Sequence, residues 1–258
     1  MNDIIDLSIL QIGMAYIFVL MVLVVVRVRG IRREAEIVIS SVRMTLQLIL
    51  VGYVLVYVFD HPGPLSTGII IALMEVFAIC TVLWKFRAKL TNPLRRVIVF
   101  SMCLGTLSCI FYFLLVVVRI SPWYDPRYVV PIAGMLIGNS MTGISLGVQL
   151  LIEGMTTQKS IVEEALVLGA TPGAATREII NSTFDAAILP TINSMIGMGI
   201  VFLPGMMTGQ ILSGIVPTTA IAYQIAIMLG ILGAVSLTVI IMLQLGCRTF
   251  FNHQDQLR

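Results

Sequence analysis

Apolar residues run along this chain in stretches too long for the helices of a soluble core. They lie at about 7–26, 37–59, 66–84, 97–118, 129–152, 186–203 and 218–246, with a shorter apolar piece at 206–215. A helix that crosses a bilayer needs about 20 consecutive apolar residues. The pattern therefore predicts an all-α fold, a polytopic transmembrane helical bundle of about seven spans. One stretch departs from the others. Leu189 to Gly214 reads LPTINSMIGMGIVFLPGMMTGQILSG, with Pro204-Gly205 in its middle, which predicts a broken helix after span six. Unpaired amides are costly in hydrocarbon, so a break survives only where protein or a water-lined cavity satisfies it. In transporters the substrate path often runs there.

Composition agrees with a membrane protein: 58% of residues are hydrophobic, 11% are charged, and mean hydropathy is +1.01. No Asp, Glu, Lys or Arg occurs from Ala186 to Cys247, which a water-exposed surface would hardly tolerate. The net charge of +3 is informative by position and gives no reason to expect nucleic acid as a partner. Arg27, Arg29, Arg32 and Arg33 follow span one, and Lys85, Arg87, Lys89, Arg95 and Arg96 lie between spans three and four. Lys159 and Arg177 fall between spans five and six, and Arg248 and Arg258 close the chain, against only Arg119 and Arg127 in the opposite loops. Lys and Arg collect on the cytoplasmic side, so the N-terminus is expected outside and the C-terminus inside. Asp3 and Asp6 stand where a cleavable signal peptide would carry basic residues, so span one reads as a retained helix. Trp123, Tyr124 and Tyr128 suit an interfacial aromatic belt on the outer face. The cysteines at 80, 103, 109 and 247 form no C-x-x-C pair and read as small hydrophobes. A single membrane domain over 1–258, in the inner or plasma membrane and surrounded by lipid, is the expected organisation.

The only sizeable piece outside the membrane is TTQKSIVEEALVLGATPGAATREIINSTFD, residues 156–185. Ser160 and Glu163 have the spacing of a capping box. Ile161, Val162, Ala165, Leu166 and Leu168 supply an apolar face, Gly169 can end the helix, and Thr171-Pro172 can start another. The segment reads either as a helical hairpin on the membrane surface or as a short amphipathic helix that inserts into a groove on a cytosolic partner.

EEALVLGA (163–170) resembles the cytoplasmic coupling motif of ABC transporter permeases, which docks on the ATPase subunit. The match implies that Glu163, Glu164, Ala165, Gly169 and Ala170 form the contact. It departs at Glu164, where the usual motif has Ala, and Ile188-Leu189-Pro190 follows Gly169 later than in an importer. PIAGMLIGNSMTGISLG (131–147), that segment and LPTINSM…LPGMMTGQILSG (189–214) together resemble the FetB-type permeases, bacterial iron exporters with plant relatives linked to aluminium tolerance. The resemblance implies a permease that pairs with a separate FetA-type ATPase and acts as a homodimer. The sequence adds one observation of its own: it contains no G-x-x-x-x-G-K-[ST] phosphate loop. No cofactor is therefore expected in this chain, and ATP is to be used by a partner supplied in trans.

Ionisable groups inside spans usually face the bundle interior, which singles out Glu75, near the middle of span three, as a metal or proton ligand or as a carboxyl bonded to a neighbouring helix. Arg43, six residues into span two, can snorkel to the inner interface. Of the 15 methionines, Met195, Met198, Met206 and Met207 cluster at the break, with Met135 and Met141 in span five. Thioethers are soft metal ligands and also common apolar fillers. Asn139, Ser140, Thr142 and Gln149, with Asn193, Ser194, Thr208 and Gln210 near the break, need partners in a dry environment and mark a candidate substrate path. Gly134-Gly138, Gly143-Gly147 and Gly205-Gly209 have the spacing for close helix contact.

An enzyme is disfavoured. Gly143-Ile144-Ser145-Leu146-Gly147 matches G-x-S-x-G but lies in an apolar helical span, and the two histidines, His61 and His253, lie outside the spans. An ion-coupled secondary transporter would share the broken helix and the buried acid but needs no docking helix. An ABC permease for a non-metal substrate such as a nucleotide sugar remains the other alternative, because plant metal tolerance need not mean metal cargo.

Overall fold

The structure, a computed structural model, describes residues 8–252 and 254–257. Asp3, Asp6, His253 and Arg258, named above, lie outside the described residues. The described chain is all helical and forms two compact units, 1–61 and 62–258.

The first unit is a pair of helices, α1 (Ile9–Val28) and α2 (Glu34–Asp60). Ser8 starts α1 with a reciprocal cap: its hydroxyl accepts from the Gln11 amide at 3.3 Å, and its own amide donates to Gln11 Oε1 at 2.7 Å. The Tyr16 and Thr45 hydroxyls hydrogen-bond across the pair. No described residue of α1 is buried, and α2 buries only Val58. Helices apolar on every side yet hardly buried by protein have lipid as their natural solvent.

The second unit holds α3 (Pro64–Lys85), α4 (Asn92–Tyr112) with a π-helical turn at Phe113–Val118, α5 (Pro126–Thr157), α6 (Lys159–Val167), α7 (Pro172–Ala175), α8 (Arg177–Gly197), α9 (Gly205–Leu212) and α10 (Pro217–Arg248). Its core lies where α10 packs along α4 and α5, with α3 and α8 on the other sides of α5. Ile98, Met102, Ile144, Leu151, Val239, Met242 and Leu243 are fully buried there. Close approach depends on missing side chains. A Cβ on Gly143 would lie 2.7 Å from a Val235 methyl, and one on Gly147 would lie 2.7 Å from the Met242 methyl. Of the three glycine pairs expected to bring helices together, only this one packs at both positions, since Gly138, Gly205 and Gly209 have nothing within 4 Å.

Among the described residues, six helical segments are long and apolar enough to cross a membrane: Ile9–Val28, Glu34–Asp60, Pro64–Lys85, Asn92–Val118, Pro126–Thr157 and Pro217–Arg248. The protein is a multi-pass membrane protein. The expected span at 186–203 is not among them. Its helix, α8, starts earlier, at Arg177, ends at Gly197, and is diluted by Asn181, Asp185, Pro190 and Asn193. It nevertheless runs much of the length of α10. Thr176, just before α8, accepts a hydrogen bond from Cys247 near the end of α10, whereas Met198, just after it, accepts one from Gln224 near its start.

Candidate functional site

The segment between α5 and α8 is built as a helix, a tight turn and a second short helix, but the start of the first helix differs from the sequence expectation. Helix α6 begins at Lys159 with Gln158 as an N-cap that makes no side-chain bond, which places Ser160 inside the helix, so no Ser160–Glu163 capping box forms. Helix α5 runs on to Thr157, so the chain turns directly from one helix into the next. The end of α6 agrees with expectation. Gly169 has φ +90, its amide donates to Leu166 O at 3.0 Å, and the Ala170 amide donates to Ala165 O at 2.9 Å. Those two bonds are the Schellman pattern, which needs a residue without a Cβ penalty in the left-handed region. Thr171 then caps α7 by accepting from the Ala174 amide at 3.4 Å, with Pro172 in the first position.

This arrangement leaves an exposed tip. Val167 and Leu168 are each 87% exposed and Ile161 is 62% exposed, beside the exposed Glu163 and Glu164, while Val162 anchors the helix to the core at 1%. Ala165 and Ala170 are half-buried beneath the turn. The base of the segment is tied to α10. The buried Thr176 hydroxyl donates to Pro172 O at 2.7 Å and accepts from Cys247 Sγ at 3.1 Å. Cys247 thus does more than fill space. Beside this joint an open groove of about 880 Å³ is lined by Thr171, Arg177, Gln244, Arg248, Asn252 and Asp255, among others.

The break also differs from the expectation. Helix α8 ends at Gly197, well before Pro204-Gly205, and Pro204 is the N-cap of the next helix. The intervening loop satisfies part of its own backbone: Gly199 N donates to Phe202 O at 3.0 Å and Val201 N to Gly197 O at 2.9 Å, with Gly199 at φ +82. Ile200 and Val201 at its tip are 91% and 80% exposed. Met195, Met198 and Met206 are half-buried against the core and Met207 is buried. Ser194 and Thr208 donate to the carbonyls of Pro190 and Pro204 in their own helices, at 2.9 and 3.0 Å. Gln210 is half-buried, and Asn193 and Asn139 are exposed.

A residue not singled out by the sequence reading holds this loop to α10. Gln224, 5% exposed, donates from Nε2 to Met198 Sδ at 3.8 Å, and its Oε1 is buried without a hydrogen-bond partner. The signal available in the sequence was a lone amide in the first half of an apolar span.

Glu75 is 4% exposed, and the structure supplies the neighbour that the sequence could not. The Thr106 hydroxyl on α4 lies 2.9 Å from Glu75 Oε2 and 2.6 Å from Met102 O. It has one proton for two acceptors. Glu75 Oε1 is buried with no partner, as is Ser140 Oγ on α5. The carboxyl and the methionines lie at different levels of the bundle. Gly105, next to Thr106, packs on Thr238, whereas Met198 meets Gln224, and Gln224 to Thr238 is about 21 Å along α10 at 1.5 Å per residue. Among the described residues, no group of three or more His, Cys, Asp or Glu is placed to hold a metal ion. The arrangement therefore offers two separate polar stations, a carboxylate and a thioether–amide pair.

The UPF0014 family, described as an uncharacterised protein family, matches residues 9–251. The chain is 32% identical over 247 residues to "Probable iron export permease protein FetB" of Escherichia coli, covering 96% of this chain and 93% of that protein. It is 33% identical over 244 residues to "Protein ALUMINUM SENSITIVE 3" of Arabidopsis thaliana, covering 95% and 88%. It is also 33% identical over 229 residues to the UPF0014 membrane protein slr1647 of Synechocystis, covering 89% and 88%. No solved structure matches the chain. With one family profile spanning the described bundle and relatives matched over nearly their whole length, this chain belongs to the UPF0014 family of membrane proteins.

Proposed function

We propose that this chain is the membrane-spanning permease subunit of an ABC transporter that exports iron or another metal cation, using ATP hydrolysed by a separate FetA-type ATPase. The observation that carries the reading is the exposed tip of α6 and its Schellman turn, two apolar side chains and two acids projecting beyond a firmly anchored helix. A hairpin lying on anionic lipid favours Lys and Arg beside its apolar side chains, whereas this tip carries Glu163 and Glu164. A groove on a cytosolic partner takes such an element directly. The iron-export name of the Escherichia coli relative supplies the substrate class.

In this reading the subunit is a homodimer in the inner or plasma membrane, with the N-terminus outside, the C-terminus inside and α8 as the seventh crossing. ATP binding in the partner moves the 159–170 tip, and the Thr176–Cys247 joint passes that movement to α10. The break at 198–204 and the Glu75 station then change their exposure in turn. Pull-down from detergent with a FetA-type ATPase, followed by ATP hydrolysis in proteoliposomes with and without Fe(II), other metals and nucleotide sugars, tests it. Stable association with metal-stimulated hydrolysis is expected; failure to associate sinks the ABC reading.

Glu75→Ala should reduce metal transport at least about tenfold, equivalent to about 1.4 kcal/mol at the barrier. Assembly should survive, because Thr106 keeps its 2.6 Å bond to Met102 O when the carboxyl is gone. Transport assays alongside size-exclusion profiles check this. Unchanged transport would leave Glu75 a purely structural residue.

A further inference from the structure

We infer that one face of α5 is the wall of a water-filled cation path, closed on its far side by the same face of a second copy of this chain. Asn139, Thr142, Leu146, Gln149, Glu153 and Thr156 follow one another at alternating spacings of three and four residues along a 32-residue helix. A repeat of that kind keeps one line of a helix facing a crossing neighbour. All of these residues except Leu146 are exposed and polar, and Leu146 is half-buried. The opposite side of α5 carries Ile132, Leu136, Ile144, Val148 and Leu151, all fully buried. The helix is thus packed on one side and bare along a polar seam on the other.

The seam's hydrogen bonds do not account for it. Asn139 Nδ2 donates to Met135 O at 2.8 Å, Thr142 to Gly138 O at 3.2 Å and Thr156 to Ile152 O at 2.7 Å, all within α5 itself. Asn139, Gln149 and Glu153 are all exposed. In a membrane-spanning helix such groups do not face hydrocarbon; they face the bundle interior or water. What covers Asn139, Thr142 and Gln149 must therefore lie at membrane depth and be polar. Asn139 and Gln149 each carry both donors and acceptors, so the seam is complementary to itself, which is the property a two-fold interface requires.

The seam also has a sign. Its one ionisable residue is Glu153, near the end of α5 where Gly154 packs on Ile179 of α8. An acid at the mouth of a narrow aqueous path concentrates cations and repels anions. A metal cation therefore fits this wall, and an anionic nucleotide sugar does not. The inference rests on the permease reading and adds to it the path's wall, its second half and its charge preference.

The test uses the full chain in native membranes, with Cys80, Cys103 and Cys109 replaced by Ala or Ser, the buried Cys247 kept for its bond to Thr176, and single cysteines introduced at Asn139, Thr142, Gln149, Ile144 and Val148. Asn139→Cys, Thr142→Cys and Gln149→Cys should react with a membrane-impermeant maleimide at least about tenfold faster than Ile144→Cys and Val148→Cys, because a packed thiol is inert until its helix opens. The same three should give a dimer with a short bis-maleimide. Crosslinking without aqueous labelling would make the seam a dry interface and overturn the path. Labelling without crosslinking would overturn the second copy, and neither would overturn both. Glu153→Gln should lower Fe(II) transport several-fold, with the loss shrinking as salt rises; an unchanged rate would overturn the cation preference. Pull-down of the ATPase on the same background separates the two readings. If the ATPase binds and the seam fails, only this inference falls; if the seam labels and crosslinks but no ATPase binds, the path survives in a carrier of another kind.

Discussion

Gly169→Trp should abolish partner-stimulated ATP hydrolysis while leaving the protein inserted and folded. The expectation follows from two features of one residue. Its φ of +90 lies in the left-handed region, where a side chain costs about 1–2 kcal/mol. No atom lies within 4 Å of where its Cβ would be, so the fold has room for the bulk and the docking face does not. Gly169→Ala separates strain from bulk: it should weaken association by no more than about tenfold, within the reach of that strain, whereas the indole should remove binding altogether. Pull-down and hydrolysis assays with both variants, set beside their thermal profiles in detergent, check the pair. Full coupling by Gly169→Trp would show that the turn is not the docking contact.

Gly105→Ala should lower the apparent melting temperature in detergent by about 5–10 °C, from an overpacking cost of about 1–3 kcal/mol in a chain of this size. The new Cβ would sit 2.8 Å from the Thr238 Cα, so backbone must move and no rotamer change can relieve it. Gly138→Ala is the matched control. It adds the same methyl to a neighbouring span with nothing within 4 Å and should leave stability unchanged or slightly raised. Equal effects from the two would mean that α4 and α10 do not approach as closely as described. Because Thr106 adjoins Gly105 and bonds Glu75, the Gly105 variant should also disturb transport.

The membrane class and six of the seven expected apolar spans were legible because hydropathy is a local property that each span carries in its own residues. Helix α8 was harder, since Asp185, Asn181 and Asn193 interrupt its apolar run and its true start at Arg177 is set by the turn before it. The end of α6 was readable from Gly169 because only a glycine serves there without strain, whereas its start was not: Ser160 and Glu163 had the right spacing, but α5 ran on and took the chain past them. The break was expected at its proline. It fell earlier because Pro204 suits a helix start and Gly199 supplies the positive φ that closes the loop. Glu75 could be found as an acid in an apolar span, but Thr106 could not be assigned to it, because no single-sequence pattern pairs residues on different helices. Gln224 was missed for the same reason, its meaning lying in a sulfur on another segment.

Contacts made by α10 with its neighbours divide it unequally. Its tight approach to Gly105 at Thr238 leaves about 14 Å of helix on the Cys247 side and about 21 Å on the Gln224 side, at 1.5 Å per residue. Further close approaches, Phe113 on Gly230, Val235 on Gly143, Met242 on Gly147 and Leu94 on Gly246, clamp the rod from Gly230 to Gly246, so no single point acts as a pivot. Freedom to bend is left to the stretch before Gly230, the one that carries Gln224 and meets the Met198 loop.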